Sequence, residues 1–241
     1  MPPRQLENPT WETLTGHHRR FALVNELAAR FQADYSPLAG LREPTAAALG
    51  ALAELVEPGE RVTVLGPMSS VAGPFSLIAR KMARQMVFDE SRAPSAVRPK
   101  LAIERLGPRD VPAMLELIAT VFPGYFRART VELGRYYGVY DQEKIIAMAG
   151  ERLFPVGFRE LSSFCTLPEA RGKGFARALT ETLLTKGENR TPFLHVDADN
   201  RVAIKAYENL GFKDHAAMEI TVIERTARAV TSSSRSEGRL I

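Results

Sequence analysis

The chain has 241 residues, of which 45% are hydrophobic and 25% charged, and its formal net charge is +4 at pH 7. Its 32 basic residues are spread along the chain beside 28 acidic ones, which argues against a nucleic-acid-binding surface. No apolar run is long enough to span a bilayer, and the polar first residues do not resemble a signal peptide. Since the single Cys165 also excludes an internal disulfide, we expect a cytoplasmic protein with no membrane partner.

The first ninety residues are typical of a small α/β domain. Apolar residues at helical spacing predict helices over residues 17–31 and 45–55, and residues 61–67 predict a strand that ends in a turn. Residues 75–87 fit a helix and a strand equally well. The histidine pair that opens the first helix is interpreted as a surface pair, because no further ligands at metal-binding spacing accompany it. We therefore expect this part to be structural or acceptor-defining, without a metal or a second cofactor.

A linker is predicted over residues 90–100, which are rich in proline, serine and alanine. It divides the chain into an N-terminal domain, residues 1–95, and a second domain, residues 96–225. The second domain is predicted to begin with a strand over residues 101–106. A helix follows, for which Asp110 is a suitable N-cap, and it stops at a Pro-Gly pair.

The rest of the second domain alternates strands and helices. A short helix precedes a hairpin that turns at residues 141–143, and a strand, a helix, a strand and a helix follow over residues 161–212. Residues 217–225 predict a closing strand. Residues 226–241 have no core-forming pattern and are predicted to be a mobile tail.

The most informative segment is the turn between the strand at residues 161–167 and the helix after it. It reads RGKGFARALT from position 171, so an arginine, a lysine and two glycines open an amphipathic helix. Glycines let a ligand approach the backbone, and the first helical turn offers free N–H groups to an anion. A P-loop is excluded because Gly174 stands where magnesium binding needs Ser or Thr. A dinucleotide fingerprint is excluded because Arg177 stands where that motif needs a small residue.

Arg171, Gly174 and Ala176 fit the pattern Arg-x-x-Gly-x-Gly/Ala, so this turn resembles the acyl-CoA pyrophosphate loop of the GNAT superfamily of N-acetyltransferases. Residues 192–212 resemble the fifth strand and fourth helix of that family, and residues 144–153 resemble its third strand. The resemblance covers roughly residues 100 to 225.

The resemblance implies an α/β (α+β) fold of the GNAT acyl-CoA N-acyltransferase type, with a mixed central sheet flanked by helices. The first ninety residues resemble the divergent leading segment of two-part members, which is interpreted as a degenerate copy of the same fold. Acetyl-CoA is implied as the cosubstrate, with no metal.

The resemblance also implies which residues bind acetyl-CoA. The loop would hold the pyrophosphate through backbone N–H groups, and two of its side chains, Arg171 and Lys173, would add positive charge. The implied loop residues are Arg171, Gly172, Lys173, Gly174, Phe175, Ala176 and Arg177. The pantetheine arm would pair with the preceding strand at Phe164, Cys165 and Thr166. Asn200 would hold the same arm, although helix capping alone also explains an asparagine there.

Proton transfer needs an acid for the leaving thiolate and a base for the attacking amine. Tyr207 occupies the position of the family's acid, although it also belongs to an apolar helical stripe. His195 occupies the position of the family's glutamate base, which is a departure from the pattern. Strand alternation puts its side chain on the less apolar face, and a purely structural histidine is an equal alternative. Glu151 is the second candidate base. A nucleophilic Cys165 is disfavoured because no histidine lies at a recognisable spacing.

The sequence therefore predicts direct transfer of an acetyl group from acetyl-CoA to a primary amine of a small molecule or peptide. A catalytically silent acyl-CoA-binding regulatory module is the alternative, and a nucleic-acid-associated protein is a third, less favoured interpretation. Residues 122–135 are expected to help define the acceptor. Acceptor identity, acyl chain length and oligomeric state stay open.

Overall fold

The computed structural model describes residues 4–68, 71, 73–92, 101–121 and 124–226. The strands are β1 Ala22–Val24, β2 Ala28–Phe31, β3 Leu38–Leu41, β4 Arg61–Leu65, β5 Phe75–Phe88, β6 Glu104–Leu106, β7 Tyr136–Asp141, β8 Lys144–Glu151, β9 Phe158–Thr166, β10 Thr191–Asp197 and β11 Phe212–Arg225. The helices are α1 Pro9–Thr15, α2 Ala46–Ala53, α3 Val111–Val121, α4 Phe175–Lys186 and α5 Arg201–Glu208. Short 3-10 turns lie between several of these elements.

The helix predicted over residues 17–31 is wrong, because that segment forms β1 and β2, which pair as an antiparallel hairpin. All four residues of β2 are buried. One of them is Arg30, whose charge is buried in an ion pair with Glu60, so β2 shows neither the alternation nor the continuous apolar run by which a strand is identified. The undecided segment at residues 75–87 is a strand, because β5 finds a neighbouring strand on each side.

The other predicted elements are confirmed with shifted ends, except that the short helix predicted before the hairpin is only a 3-10 turn, Thr130–Leu133. Residues 45–55 form α2, which Thr45 caps by accepting a hydrogen bond from the N–H of Ala48. The prediction of Asp110 as the N-cap is wrong, because Asp110 ends the 3-10 turn that leads into α3 and its carboxylate accepts the N–H of Gly107 at the start of that turn. The hairpin joins β7 and β8 and turns at Gln142, which has a φ of 55°.

The eleven strands form one mostly antiparallel sheet in the order β1-β2-β3-β4-β11-β5-β10-β9-β8-β7-β6. β5 comes from the N-terminal part of the chain but lies between β10 and β11. The predicted boundary at residue 95 lies outside the described residues, as do most of the linker, most of the tail, and residues 122–123 of the expected acceptor segment. The division into domains therefore stays a prediction, and the described residues on its two sides share one sheet.

Two hydrophobic cores lie against the part of the sheet that contains β9 and β10. One contains residues of α3, α4 and α5 and lies against β7 to β10. The other joins Leu6 and Leu14 of the N-terminal segment to Leu153, Phe193 and Met218 of the second half. Among the described residues, no helix is long and apolar enough to cross a membrane.

Candidate active site

Strands β9 and β10 run side by side for only three residue pairs and then diverge. The last pair joins Glu160 of β9 to Phe193 of β10. Beyond it, β10 pairs with β5 as far as Asp197, whereas β9 continues to Thr166 with β8 as its only neighbour in the described sheet. An opening therefore separates the two strands. One edge of β9 faces it with backbone groups that an extended ligand can use as it would use a neighbouring strand.

One extra residue interrupts β9 beside this opening. The register with β8 shifts between the pairs made by Ser162 and Cys165, so Ser163 and Phe164 stand opposite a single residue of β8. Ser163 has a φ of 57°, in the left-handed region. A bulge of this kind bends the strand and turns backbone groups out of the ladder. Backbone N–H donors are thereby available to a ligand in the opening.

The loop between β9 and α4 forms an open cradle. Gly172 and Gly174 have φ values of 76° and 82°, a conformation that favours glycine. A Cβ atom built on either glycine would meet no other atom within 4 Å. Since the first N–H groups of α4 also lack intrahelical partners, the space and the donors fit an anionic group such as a diphosphate.

The remaining loop residues surround this cradle. Arg171 and Lys173 are exposed, and Nε of Arg171 lies 3.4 Å from the carbonyl oxygen of Thr166. Arg177 forms an ion pair of 2.8 Å with Glu181. The ring of Phe175 is buried, and it anchors the first turn of α4 in the core. The structure thus brings the predicted loop residues together in one turn.

Tyr207 of α5 lies on the other side of the opening from the loop's strand. Its ring centroid is 5.6 Å from that of Phe164, in an edge-on arrangement, and 5.9 Å from that of Phe212. Burial raises the pKa of Tyr207, so the hydroxyl is protonated at neutral pH and is a weaker acid than an exposed phenol. Asn200 caps α5, and its side-chain oxygen accepts the N–H of Ala203 at 3.0 Å.

His195 lies on the same face of β10 as Phe193, with ring centroids 5.6 Å apart, as alternation predicts. The expectation that this face is less apolar is wrong. The N-terminal segment covers it with a second core, and the His195 side chain is only 5% exposed.

Both ring nitrogens of His195 are engaged. Nδ1 lies 2.8 Å from Oε1 of Glu160, and Nε2 lies 3.1 Å from the amide nitrogen of Gln85, which also donates to the carbonyl oxygen of Leu6. A carboxylate only accepts and an amide nitrogen only donates. Nδ1 therefore carries the proton, and Nε2 accepts the hydrogen bond from Gln85.

Glu160 is the charged centre of this buried network. Two guanidinium nitrogens of Arg152 bind its carboxylate, at 2.9 and 2.8 Å. Burial alone would raise the pKa of Glu160, but the charge of Arg152 and the hydrogen bond from His195 outweigh burial and lower the pKa to about 2. Glu160 is therefore a carboxylate throughout the neutral range.

Glu151 belongs to a separate buried cluster. Its carboxylate is paired with Arg159 at 2.8 Å and with Arg135 at 2.9 Å, and its side chain is 1% exposed. Arg135 also donates to the carbonyl oxygen of Lys186, at the last turn of α4. This geometry ties strands β8 and β9 to α4, and both carboxylate oxygens are used in it.

Cys165 is buried in the core. Burial raises the pKa of its thiol to about 12, so the reactive thiolate is absent at neutral pH. The geometry agrees with a small apolar role for its side chain, and its backbone still borders the opening.

The N-terminal part fixes part of the expected acceptor segment. The hydroxyl of Thr130 donates to the carbonyl oxygen of Tyr35 at 2.6 Å, and the N–H of Arg129 donates to the carbonyl oxygen of Asp34 at 3.0 Å. The Arg129 guanidinium also pairs with Asp34 and lies 4.2 Å above the ring of Tyr35. Glu132 accepts from the Tyr35 hydroxyl at 3.4 Å.

Five residues of the site region escape the sequence analysis: Gln85, Tyr136, Arg152, Glu160 and Ser163, the last because no sequence pattern marks its bulge. Arg152 and Glu160 leave one trace in the sequence, since each is a charged residue beside a predicted buried strand, where charges occur mainly in pairs. No such trace marks Gln85 or Tyr136, because the role of each depends on which strands pair with its own strand, and no local pattern specifies those partners.

Comparisons with known proteins agree with this geometry. The model of the acetyltransferase (GNAT) family matches residues 108–212, and no curated protein matches the chain. A solved structure from Novosphingobium aromaticivorans, described as an acetyltransferase of the GNAT family, is 29% identical and covers 93% of this chain and 100% of its own, with a TM-score of 0.82.

Two more distant solved structures share the fold. A GCN5-related N-acetyltransferase from Kribbella flavida is 13% identical and covers 90% of this chain and 94% of its own, with a TM-score of 0.61. A GCN5-related N-acetyltransferase-like protein from Streptococcus suis is 14% identical and covers 90% of this chain and 92% of its own, with a TM-score of 0.56. The chain therefore has the GNAT fold, and its residues 108–212 match the model of the GNAT acetyltransferase family.

Proposed function

We propose that this protein transfers an acetyl group directly from acetyl-CoA to a primary amine, without a metal. The observation that supports the proposal best is the opening between β9 and β10, which leads to an open loop whose two glycines both have positive φ. An extended pantetheine arm fits the free edge of β9, and a diphosphate fits the loop. Among the described residues, no cluster of side chains is suited to hold a metal ion.

Each part of the site has a proposed role. Backbone N–H groups from Gly172 to Arg177 bind the pyrophosphate, and Arg171 and Lys173 add positive charge. The edge of β9 from Phe164 to Thr166 pairs with the pantetheine arm, and a free N–H beside the bulge stabilises charge on the thioester oxygen. Donors held in place in this way lower the transition-state energy by a few kcal/mol, about 3 to 4 for one donor.

Tyr207 is the proposed acid. Its ring packs against Phe164 of the bulged strand, which puts its hydroxyl near the opening as a proton donor for the leaving thiolate. Asn200 is proposed to hold the pantetheine arm from the start of α5, in addition to its capping bond.

The base is proposed to be His195, with Glu151 as the alternative. His195 is two residues beyond the last β9–β10 pair, at the start of the opening, whereas Glu151 is neutralised by two arginines. Because Nε2 of His195 accepts from Gln85, its action requires that this hydrogen bond opens. A His195→Ala enzyme should lose the acidic limb of its rate profile, and a Glu151→Gln enzyme should keep it. An unaltered profile in His195→Ala would return the role to Glu151 or to water.

The engagement of both His195 nitrogens also favours a second candidate function, a catalytically silent acyl-CoA-binding module. Both candidates bind CoA, but only an enzyme consumes acetyl-CoA in the presence of an amine. A panel of amines and peptides with detection of released thiol separates them. Binding without turnover across the panel would favour the silent module.

Gly174→Glu tests the loop itself. The side chain would occupy the cradle with a negative charge, so we expect CoA binding in calorimetry to be lost, and Arg171→Ala to weaken it less, because backbone donors remain. Gly157→Glu is the matched control, since Gly157 also has a positive φ, 80°, with open space around it, but precedes the opposite end of β9. Undiminished CoA affinity in folded Gly174→Glu would refute the loop assignment.

A further inference from the structure

The hydroxyl of Tyr136 is a buried polar group that the proposed mechanism does not use. Tyr136 is fully buried at the start of β7, and its hydroxyl oxygen has no well-formed hydrogen bond with the described residues. Buried hydroxyls without a partner are rare and often mark a functional requirement.

Packing against Gly150 and Phe126 holds this ring in place. Tyr136 pairs with Gly150 of β8, and a Cβ atom on Gly150 would come within 2.3 Å of ring atom Cε1 of Tyr136. The absence of a side chain at Gly150 thus lets the ring lie across β8 towards β9. On another side, Phe126 makes an edge-on contact with the ring at 5.5 Å between centroids.

Ser163 follows Ser162, the residue of β9 that pairs with Gly150 beneath the ring. It is the bulged residue of β9, with a φ of 57°, and its side chain is half-buried, whereas that of Tyr136 is inaccessible. It lies three residues beyond Glu160, on the part of β9 that borders the opening. Burial raises the pKa of Tyr136, so its hydroxyl stays a hydrogen-bond donor at any working pH.

We propose that the Ser163 hydroxyl donates a hydrogen bond to the acyl carbonyl oxygen of bound acetyl-CoA, and that Tyr136 is the positioning residue that orients it. The Tyr136 hydroxyl donates to Oγ of Ser163, which leaves the serine proton to point into the opening. The pair adds a side-chain donor to the backbone N–H of the bulge. This inference rests on the proposed function, because it assigns a contact within the same acyl site.

The test uses Ser163→Ala, Ser163→Gly and Tyr136→Phe in the full chain. Loss of one donor to such an oxygen costs about 10²–10³ in kcat when it is a main donor. Since the backbone donor remains, we expect kcat to fall roughly tenfold in all three variants, with a smaller rise in the KM for acetyl-CoA. The double variant Tyr136→Phe/Ser163→Ala should be no slower than Ser163→Ala alone, because one hydroxyl acts through the other.

Two comparisons separate this role from a structural one. Ser163→Gly relieves the left-handed backbone, so retained kcat in that variant would show that only the bulge matters and would overturn the proposal. Tyr137→Phe, at the adjacent buried tyrosine of β7, is the control for loss of a phenol and should keep its kcat. Equal losses in Tyr137→Phe and Tyr136→Phe would also overturn it.

A binding measurement tests the contact with the acyl group without requiring acetyl transfer. Calorimetry should show that Ser163→Ala and Tyr136→Phe lower the affinity for acetyl-CoA relative to CoA, while the affinity for CoA itself stays unchanged. An unchanged ratio in both variants would refute the contact with the acyl group. If the wild-type protein transfers no acetyl group but this ratio falls, the contact is supported and the proposed catalytic function fails.

Discussion

At the scale of single residues, Tyr207→Phe tests the proposed acid. The phenylalanine ring keeps the contacts with Phe164 and Phe212, so we expect CoA affinity to persist. The loss of the proton donor should lower kcat by roughly 10²- to 10⁴-fold if donation limits the rate, and by less if thiolate departure is fast. Steady-state kinetics with thiol detection measures this. Full activity in Tyr207→Phe would make Tyr207 a packing residue.

The residues of the site differ in how far the sequence alone predicts them. The loop from Arg171 to Arg177 is predictable, because its chemistry depends on the order of neighbouring residues, and the capping bond of Asn200 is equally local. The surroundings of His195 are not predictable in this way. Alternation gives the face of the strand, but Leu6 and Gln85, which close that face, come from more than a hundred residues away.

At the scale of structural elements, Gly187→Ala tests the junction between α4 and the buried arginine of β9. Gly187 has a φ of −72°, which alanine adopts freely, so steric crowding alone decides the result. A Cβ atom there would meet the Arg159 guanidinium within 2.1 Å of its carbon, and Arg159 is fully buried. We expect the free energy of unfolding in urea to fall by about 1–3 kcal/mol.

Gly50→Ala is the control for this change. Gly50 lies inside α2 with open space around it, so the added methyl group should stabilise the protein by about 0.5–1 kcal/mol. Equal effects of the two substitutions would contradict the crowding at Arg159.

His18 makes the packing of the N-terminal elements sensitive to pH. The interpretation of the histidine pair as a surface pair is wrong for His18, which is 2% exposed. Its ring is buried among Phe21, Phe31 and Phe154, and burial, assisted by the charge of His17, lowers its pKa to about 3. The unfolded chain binds this proton near pH 6.5, about the normal histidine value. Stability is therefore complete above about pH 6.5 and decreases as the pH falls towards 3, since only the unfolded state is protonated in that window.

His18→Phe should flatten this dependence. Denaturant titrations between about pH 7 and 5 avoid the carboxylates, whose unperturbed pKa values lie near 4. We expect a smaller loss of stability over this range than in the wild-type protein. His215→Phe, which removes a half-buried histidine of β11, should change the slope less. A wild-type slope in His18→Phe would show that His18 is protonated in the folded state.

The elements of the second half are predictable because each carries its own pattern. α3, α4 and α5 are amphipathic or capped, and the β7–β8 hairpin has its turn residues in place. β1, β2 and β5 lack such patterns. Their identity as strands depends on pairing with other strands, and the partners of β5 are remote in the chain. Tertiary pairing of this kind overrides local propensity.

At the scale of the whole molecule, the shared sheet predicts a single unfolding transition. β5 pairs with β11 over most of its length and with β10 at one end, so neither half completes its sheet without the other. We expect calorimetry and circular dichroism to report one coincident transition. Two separable transitions would contradict this. A chain that begins at residue 101 lacks β5 and should fail to fold.

The position of β5 also has a consequence for how the protein is made. About a hundred residues separate the end of β5 from the start of β10, so the ribosome finishes β5 roughly 5 to 20 s before its neighbours emerge. During that interval a strand with two open edges, which exposes Leu77, Ile78 and Met82, waits without partners. The nascent chain is therefore most exposed to aggregation in midsynthesis, and the candidate site is completed only late in synthesis, when β10 and α5 have emerged.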